Sequence, residues 1–166
     1  MTTATPQLYT RPFLTLCVSY TLFSASFNMI IPELPAYLTS LGGEDYKGLI
    51  ISLFTLTAGI SRPFSGKLAD TIGRIPVIFI GILVCVVCSL LYPILTSVAG
   101  FLILRIVHGF STGFSPTATV AYVADRVPSH RRGEAMGIIG VCMNMGASIS
   151  PPIGSWLVLE FSLEAL

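Results

Sequence analysis

Gly66-Lys67-Leu68-Ala69-Asp70-Thr71-Ile72-Gly73-Arg74 is a short polar stretch, punctuated by glycines, set between two long apolar runs. A connection this short makes the membrane-length helices on either side antiparallel neighbours, and it puts Lys67, Asp70 and Arg74 on one membrane face. Those charges mark an inside loop. Outward from it, five stretches approach or exceed the roughly 20 residues that a helix needs to cross about 30 Å of hydrocarbon. They fall at about 12–31, 46–68, 75–95, 99–124 and 135–159. Transmembrane barrel strands would run about ten residues with regular apolar and polar alternation, and nothing here alternates that way.

Composition agrees with a bilayer as solvent. Hydrophobic residues make up 53% and charged residues 10%, against roughly 25% charge in ordinary soluble domains; mean hydropathy is +0.82. The formal net charge of +1 comes from positives scattered along the chain, which gives no electrostatic case for nucleic acid. Cys17, Cys85, Cys88 and Cys142 all lie inside apolar runs. Although Cys85-x-x-Cys88 has redox-motif spacing, a thiol among valines and leucines behaves as a small hydrophobe. The first run imitates a secretory signal, with Arg11 before it and Ser24, Ala25 and Ser26 within it, yet hydrophobicity resumes at 27–31 and further spans follow. It reads as an uncleaved first helix.

Orientation follows the basic residues. One set of connections holds Lys67, Arg74, Arg126, Arg131 and Arg132, with Arg62 and Arg11 on the same side; the opposite set holds Lys47 beside Glu33, Glu44 and Asp45. The positive-inside rule puts the N-terminus in the cytoplasm and the tail from Glu160 outside. No linker, low-complexity tract or second domain is visible.

Several residues within the spans are poor choices for a mere anchor. Pro63, Pro116, Pro151 and Pro152 would kink helices, and Gly109, Gly113, Gly137, Gly140, Gly146 and Gly154 would let them approach closely. The densest series of small positions is in the fifth span, where Gly137, Gly146, Ser150-Pro151 and Gly154-Ser155 surround an expected proline break. Arg105 lies inside the fourth span, where a cation costs about 2.5–3.5 kcal/mol on insertion scales and finds protein or water to face. His108 and Gly109 follow it on the same helical side. Snorkelling to the outer interface is the alternative. No carboxylate lies inside a span, so Glu33 at the outer end of the first helix is the nearest acidic partner on offer.

These motifs resemble the major facilitator superfamily over nearly the whole chain. The family's loop pattern, Gly-x3-Asp-(Arg/Lys)-x-Gly-Arg-(Arg/Lys), is matched by Gly66, Asp70, Gly73 and Arg74, with Thr71 and Ile75 in place of basic residues. Its fourth-helix pattern, Arg-x2-Gln-Gly, corresponds to Arg105 and Gly109, with His108 where glutamine is usual. Asp125, Pro128, Arg131, Arg132, Gly133 and Gly137 look like the cytoplasmic connection into helix five. The series Gly137, Gly146, Ser150, Pro151 and Gly154 looks like the antiporter motif, with Ser150 and Ser155 replacing glycines. Pro32 and Pro35 look like the proline pair of the drug-efflux branch.

The resemblance implies an all-α polytopic protein of the plasma (inner) membrane, corresponding to part of an N-terminal six-helix bundle. Such a protein is a secondary transporter working by alternating access, with a small-molecule substrate near the bilayer midplane. It further implies no cofactor, protons as the coupling ion, and efflux as the direction, with sugar or metabolite export the alternative within the family. In the family the carboxylate at the position of Asp70 latches the cytoplasmic side, the arginine at Arg105 is linked to proton coupling, and the fifth-helix motif limits leakage. Independently, Asp70, Asp125, Arg74, Arg131 and Arg132 are expected to share one cytoplasmic surface.

The family pattern needs about twelve spans in two halves, so a five-span chain reads as a fragment, a truncated frame or one piece of an assembly. Transport is not expected from it without the remaining helices. A small non-transporting membrane subunit and a homo-oligomeric pore are the other readings. No paired carboxylates, nucleophile with base, phosphate loop or metal-ligand cluster points to an enzyme, and His108 and His130 lack ligand spacing. Phe23, Phe27, Phe54, Phe110 and Phe114 are candidates to line an apolar pathway.

Overall fold

The structure is a computed structural model that describes residues 8–161. Helix α1 (Arg11–Ile30) opens with Pro12 in its first turn, where the missing proline N–H would have had no partner anyway. It passes through a 3-10 turn at Ile31–Glu33 into α2 (Leu34–Ser40), so Pro32 and Pro35 each sit in the first turn of a new element. Then come α3 (Lys47–Ile72), α4 (Arg74–Leu91), α5 (Val98–Arg126) and α6 (Arg132–Phe161). Ser97 caps α5, its hydroxyl accepting from the Gly100 amide at 3.2 Å. No strand occurs among the described residues. Five segments are long and apolar enough to cross a membrane: Arg11–Ser40, Glu44–Ile72, Arg74–Ile94, Val98–Arg126 and Ser129–Glu160.

Two expectations need correction. The polar stretch at 66–74 is not a loop: α3 stays helical to Ile72 and the reversal falls on Gly73 alone, at φ 98°. Polar side chains on an exposed last turn do not break a helix, whereas the left-handed region strongly favours glycine. Nor is there a break at Ser150-Pro151, because α6 continues through both prolines, as α3 does through Pro63 and α5 through Pro116. In hydrocarbon, helical neighbours are the available partners for backbone groups, which favours continuing the helix over ending it. The expected tail beyond Phe161 and the chain before Leu8 lie outside the described residues.

Helix α5 is the centre of one unit, with α3 on one flank and α4 on the other, while α1 pairs with α6. Small residues set these seams. A Cβ on Gly109 would sit 2.5 Å from the Phe54 carbonyl oxygen of α3, one on Gly113 would strike Ser61, and one on Gly81 of α4 would sit 2.5 Å from the Ser115 amide of α5. On the other pair, a Cβ on Gly146 would meet the Thr21 carbonyl at 2.5 Å, and one on Gly154 would strike Met29. Where backbones come this close, side-chain hydroxyls reach across. Ser65 donates to the Gly113 carbonyl and Ser24 to the Met143 carbonyl, each at 2.7 Å. This is the packing expected of helices that gain no hydrophobic drive from one another in lipid. Large apolar side chains meanwhile point outward, Phe79, Leu90 and Leu22 among them.

Candidate functional site

The up-and-down order of the long helices collects two polar clusters at opposite ends of the bundle. At the basic end, Arg74 opens α4 directly after the Gly73 reversal and faces two carboxylates. Its Nε donates to Asp125 at 2.9 Å, and its Nη1 pairs with Asp70 one turn back. One guanidinium thus ties α3, α4 and α5 together. Arg131 and Arg132 have partners of their own. Arg131 pairs with Glu134 at 2.9 Å, Tyr9 reaches the same carboxylate at 3.3 Å, and Arg132 turns to the Val127 carbonyl at 3.4 Å. The residues expected on one surface thus divide into separate local pairings at the same end of α5, because Glu134 lies three residues from Arg131 and pairs with it. That i, i+3 spacing was present in the sequence and went unread.

Toward the other end, Arg105 is 2% exposed. Its Nε donates to the Ile50 carbonyl at 3.0 Å, its Nη1 to the Tyr92 hydroxyl at 3.1 Å, and its guanidinium carbon lies 4.7 Å from the centroid of Phe54. No carboxylate lies within ion-pair distance of it among the described residues. Glu33 is engaged elsewhere, accepting from Ser155 of α6 at 2.6 Å. The expected partnership of Arg105 with Glu33 is thereby replaced by neutral acceptors and a ring face, and snorkelling does not describe a side chain this deeply enclosed.

His108, 1% exposed, lies one turn on. Its Nδ1 is 3.3 Å from the Tyr92 hydroxyl, and its Nε2 has no partner among the described residues. Phe27 and Phe54 stack on each other at 4.8 Å, and both meet the imidazole edge to face at 5.7 and 5.8 Å. Of the aromatics proposed for a pathway, Phe54 lies against the buried cation and Phe27 packs on Phe54 and His108. Phe110 and Phe114 pack on each other, and Phe23 is buried beside Tyr20. Tyr92 escaped the sequence reading: it closes α4 in a 3-10 turn, and nothing in its spacing links it to an arginine thirteen residues on.

The fifth-span series divides in the same way. Gly146 and Gly154 press on α1, whereas a Cβ on Gly137 or Gly140 would meet open space, as would one on Gly66. Ser150 is buried, its hydroxyl without a partner among the described residues, and Gly137 and Gly140 line an open groove with Asn144 and Ser148.

A helical bundle with five membrane-length segments, small-residue seams, a buried cation and a charged helix-reversal cluster defines a multi-pass membrane protein. Residues 16–166 match the Major Facilitator Superfamily, and the chain belongs to that family. It is similar to the quinolone resistance protein NorA of Staphylococcus aureus, 31% identical over 132 residues, covering 78% of this chain and 34% of that protein. It is also similar to the multidrug resistance protein MdtG of Enterobacter lignolyticus, 33% identical over 149 residues, covering 86% of this chain and 35% of that protein. The chain spans about a third of the length of the curated relatives it matches. Members of the family are in general carriers and not enzymes.

Proposed function

We propose that these helices are the N-terminal part of a proton-coupled exporter of small molecules that works by alternating access, with the basic end in the cytoplasm. The observation that carries the reading is Arg105. A cation held deep in a bundle by a carbonyl, a hydroxyl and a ring face is unneeded in an anchor or a packing subunit, but it is what a coupling element requires. The printed names of the relatives, quinolone resistance and multidrug resistance, point to efflux and to apolar or amphipathic drugs as the substrate class. In this reading Asp70, Arg74 and Asp125 form the cytoplasmic latch, and the α1–α6 seam at Gly146 and Gly154 limits leakage.

The test is export by the full-length protein in everted vesicles, with a fluorescent quinolone and an imposed pH gradient. Gradient-dependent accumulation supports the proposal; accumulation of small ions without a gradient would favour a pore, and no flux of either kind a non-transporting subunit. Orientation is tested by single cysteines in a background lacking the native four. An impermeant thiol reagent on intact cells should label position 43 and spare positions 70 and 129. The reverse pattern overturns the cytoplasmic placement of the basic end.

A further inference from the structure

Arg105 and His108 are neighbours on α5, but they communicate through the 3-10 turn that closes α4, by way of Tyr92. A guanidinium carries only donors, so at 3.1 Å the Tyr92 oxygen must be the acceptor from Arg105 Nη1. The single phenolic proton is then free to point elsewhere, and the acceptor within reach is His108 Nδ1 at 3.3 Å. An Nδ1 that accepts carries no proton, which makes the imidazole neutral with its hydrogen on Nε2. That atom is buried and has no partner among the described residues, beside the Phe27 and Phe54 rings. Tyr92 is itself held from behind, because the Tyr37 hydroxyl donates to the Tyr92 carbonyl at 3.0 Å and to the Leu95 carbonyl at 2.6 Å.

We propose that Tyr92 and His108 are positioning residues for Arg105. The chain of donors Arg105, Tyr92, His108 fixes the imidazole as its Nε2–H form and holds the guanidinium against the Ile50 carbonyl and the Phe54 face. This rests on the reading of Arg105 as the coupling group. It also explains how histidine serves at a position where the family pattern has glutamine. Glutamine offers the same pair of functions, an acceptor toward Tyr92 and an N–H donor beyond it, whereas alanine offers neither.

The test uses the full-length protein with 15N-labelled histidine, in nanodiscs of phosphatidylethanolamine and phosphatidylglycerol, the His108 signal being identified by its loss in His108→Gln. Wild type should show one neutral Nε2–H tautomer, and Tyr92→Phe should lose that single form. In the vesicle assay, Tyr92→Phe and His108→Ala should each lower gradient-driven export about tenfold at unchanged membrane level, with His108→Gln within about twofold of wild type, since each of the first two removes a hydrogen bond from the chain that holds Arg105. An Nδ1–H tautomer in wild type overturns the proposal. So does an unchanged tautomer in Tyr92→Phe, or His108→Ala exporting as well as His108→Gln. If wild type shows the Nε2–H form but no gradient-driven export, the coupling reading fails, and the Tyr92→Phe spectrum alone decides the hydrogen-bond chain.

Discussion

Arg74 and Arg105 are the same side chain solved in opposite ways. Arg74 is 23% exposed and engages two carboxylates that are themselves 67% and 53% exposed. Arg105 is enclosed, and its partners are a backbone carbonyl, a phenol and a ring. Where water reaches, a carboxylate remains solvated and an ion pair forms at little cost, but it is worth correspondingly little. In the interior, each ionised carboxylate would bring its own desolvation penalty, so neutral acceptors and a quadrupole satisfy the guanidinium without one. The outcome is a net positive charge kept inside the bundle on one side, and an easily exchanged charge cluster on the other. The first suits a group that must respond to a proton or an anionic partner, the second a contact that opens and closes.

The comparison breaks most sharply at Arg105. Arg105→Ala in the full-length protein should reach the membrane at normal levels, because removing a buried cation does not raise the cost of insertion. It should nonetheless abolish gradient-driven export. It removes the donor shared by the Ile50 carbonyl and the Tyr92 hydroxyl, and hydrogen bonds to a charged group are worth about 1.5–3 kcal/mol each. Arg105→Lys should rescue poorly, since one ammonium cannot hold both acceptors and lie flat on Phe54. Near-normal export by the alanine variant, measured in everted vesicles, would reduce Arg105 to a packing residue.

The seams that place these charges carry the next largest effects. Gly109→Val drives a methyl group into the Phe54 carbonyl, pushing α3 away and taking Ile50 and Phe54 from Arg105. Overpacking of this kind costs about 1–3 kcal/mol, and the variant should lose both thermal stability in detergent and export. Gly146→Val and Gly154→Val should spare membrane level and lose export or leak protons, because the clash falls between α1 and α6 and leaves the lipid-facing surface unchanged. Gly66→Val and Gly137→Val meet no contact among the described residues and are the controls for these seams. If the control glycines tolerate valine no better than Gly109, Gly146 and Gly154, the close contacts are not what these positions supply.

The same contrast separates what was legible in the sequence from what was not. Five spans and their order could be read because membrane thickness fixes helix length, and the apolar runs carry that length directly. Asp70, Gly73 and Arg74 were legible as a group, being close along the chain; their third partner, Asp125, arrives from α5 and was placed only on the same face. Arg105 announced itself by its cost, but its partners did not. Ile50 contributes a backbone carbonyl, which every residue has, and Tyr92 a hydroxyl that becomes relevant only when α4 lies against α5. Glycines told the same story: Gly109 and Gly137 look alike in sequence, and only the packing shows that one touches a neighbour's backbone and the other faces open space.

The smallest effects belong to the exposed cluster. Asp70→Asn or Asp125→Asn alone leaves Arg74 one carboxylate, so either variant should keep more than half of wild-type export. The double variant, which leaves Arg74 neither of its two described carboxylates, should fall further than the two single losses combined, since the pairs share a guanidinium and are not independent. Because these side chains are open to solvent, raising ionic strength from about 0.01 M to about 1 M, where the screening length falls from about 30 Å to about 3 Å, should bring wild type toward the double variant. The same change should leave the Arg105 variants' difference from wild type intact. If Asp70→Asn alone abolishes export while Asp125→Asn is silent, the two carboxylates are not equivalent partners of Arg74. Asp70 then makes its decisive contact with a part of the transporter beyond these five spans, and the cluster at the α3–α4 reversal is one face of a latch whose other face lies there.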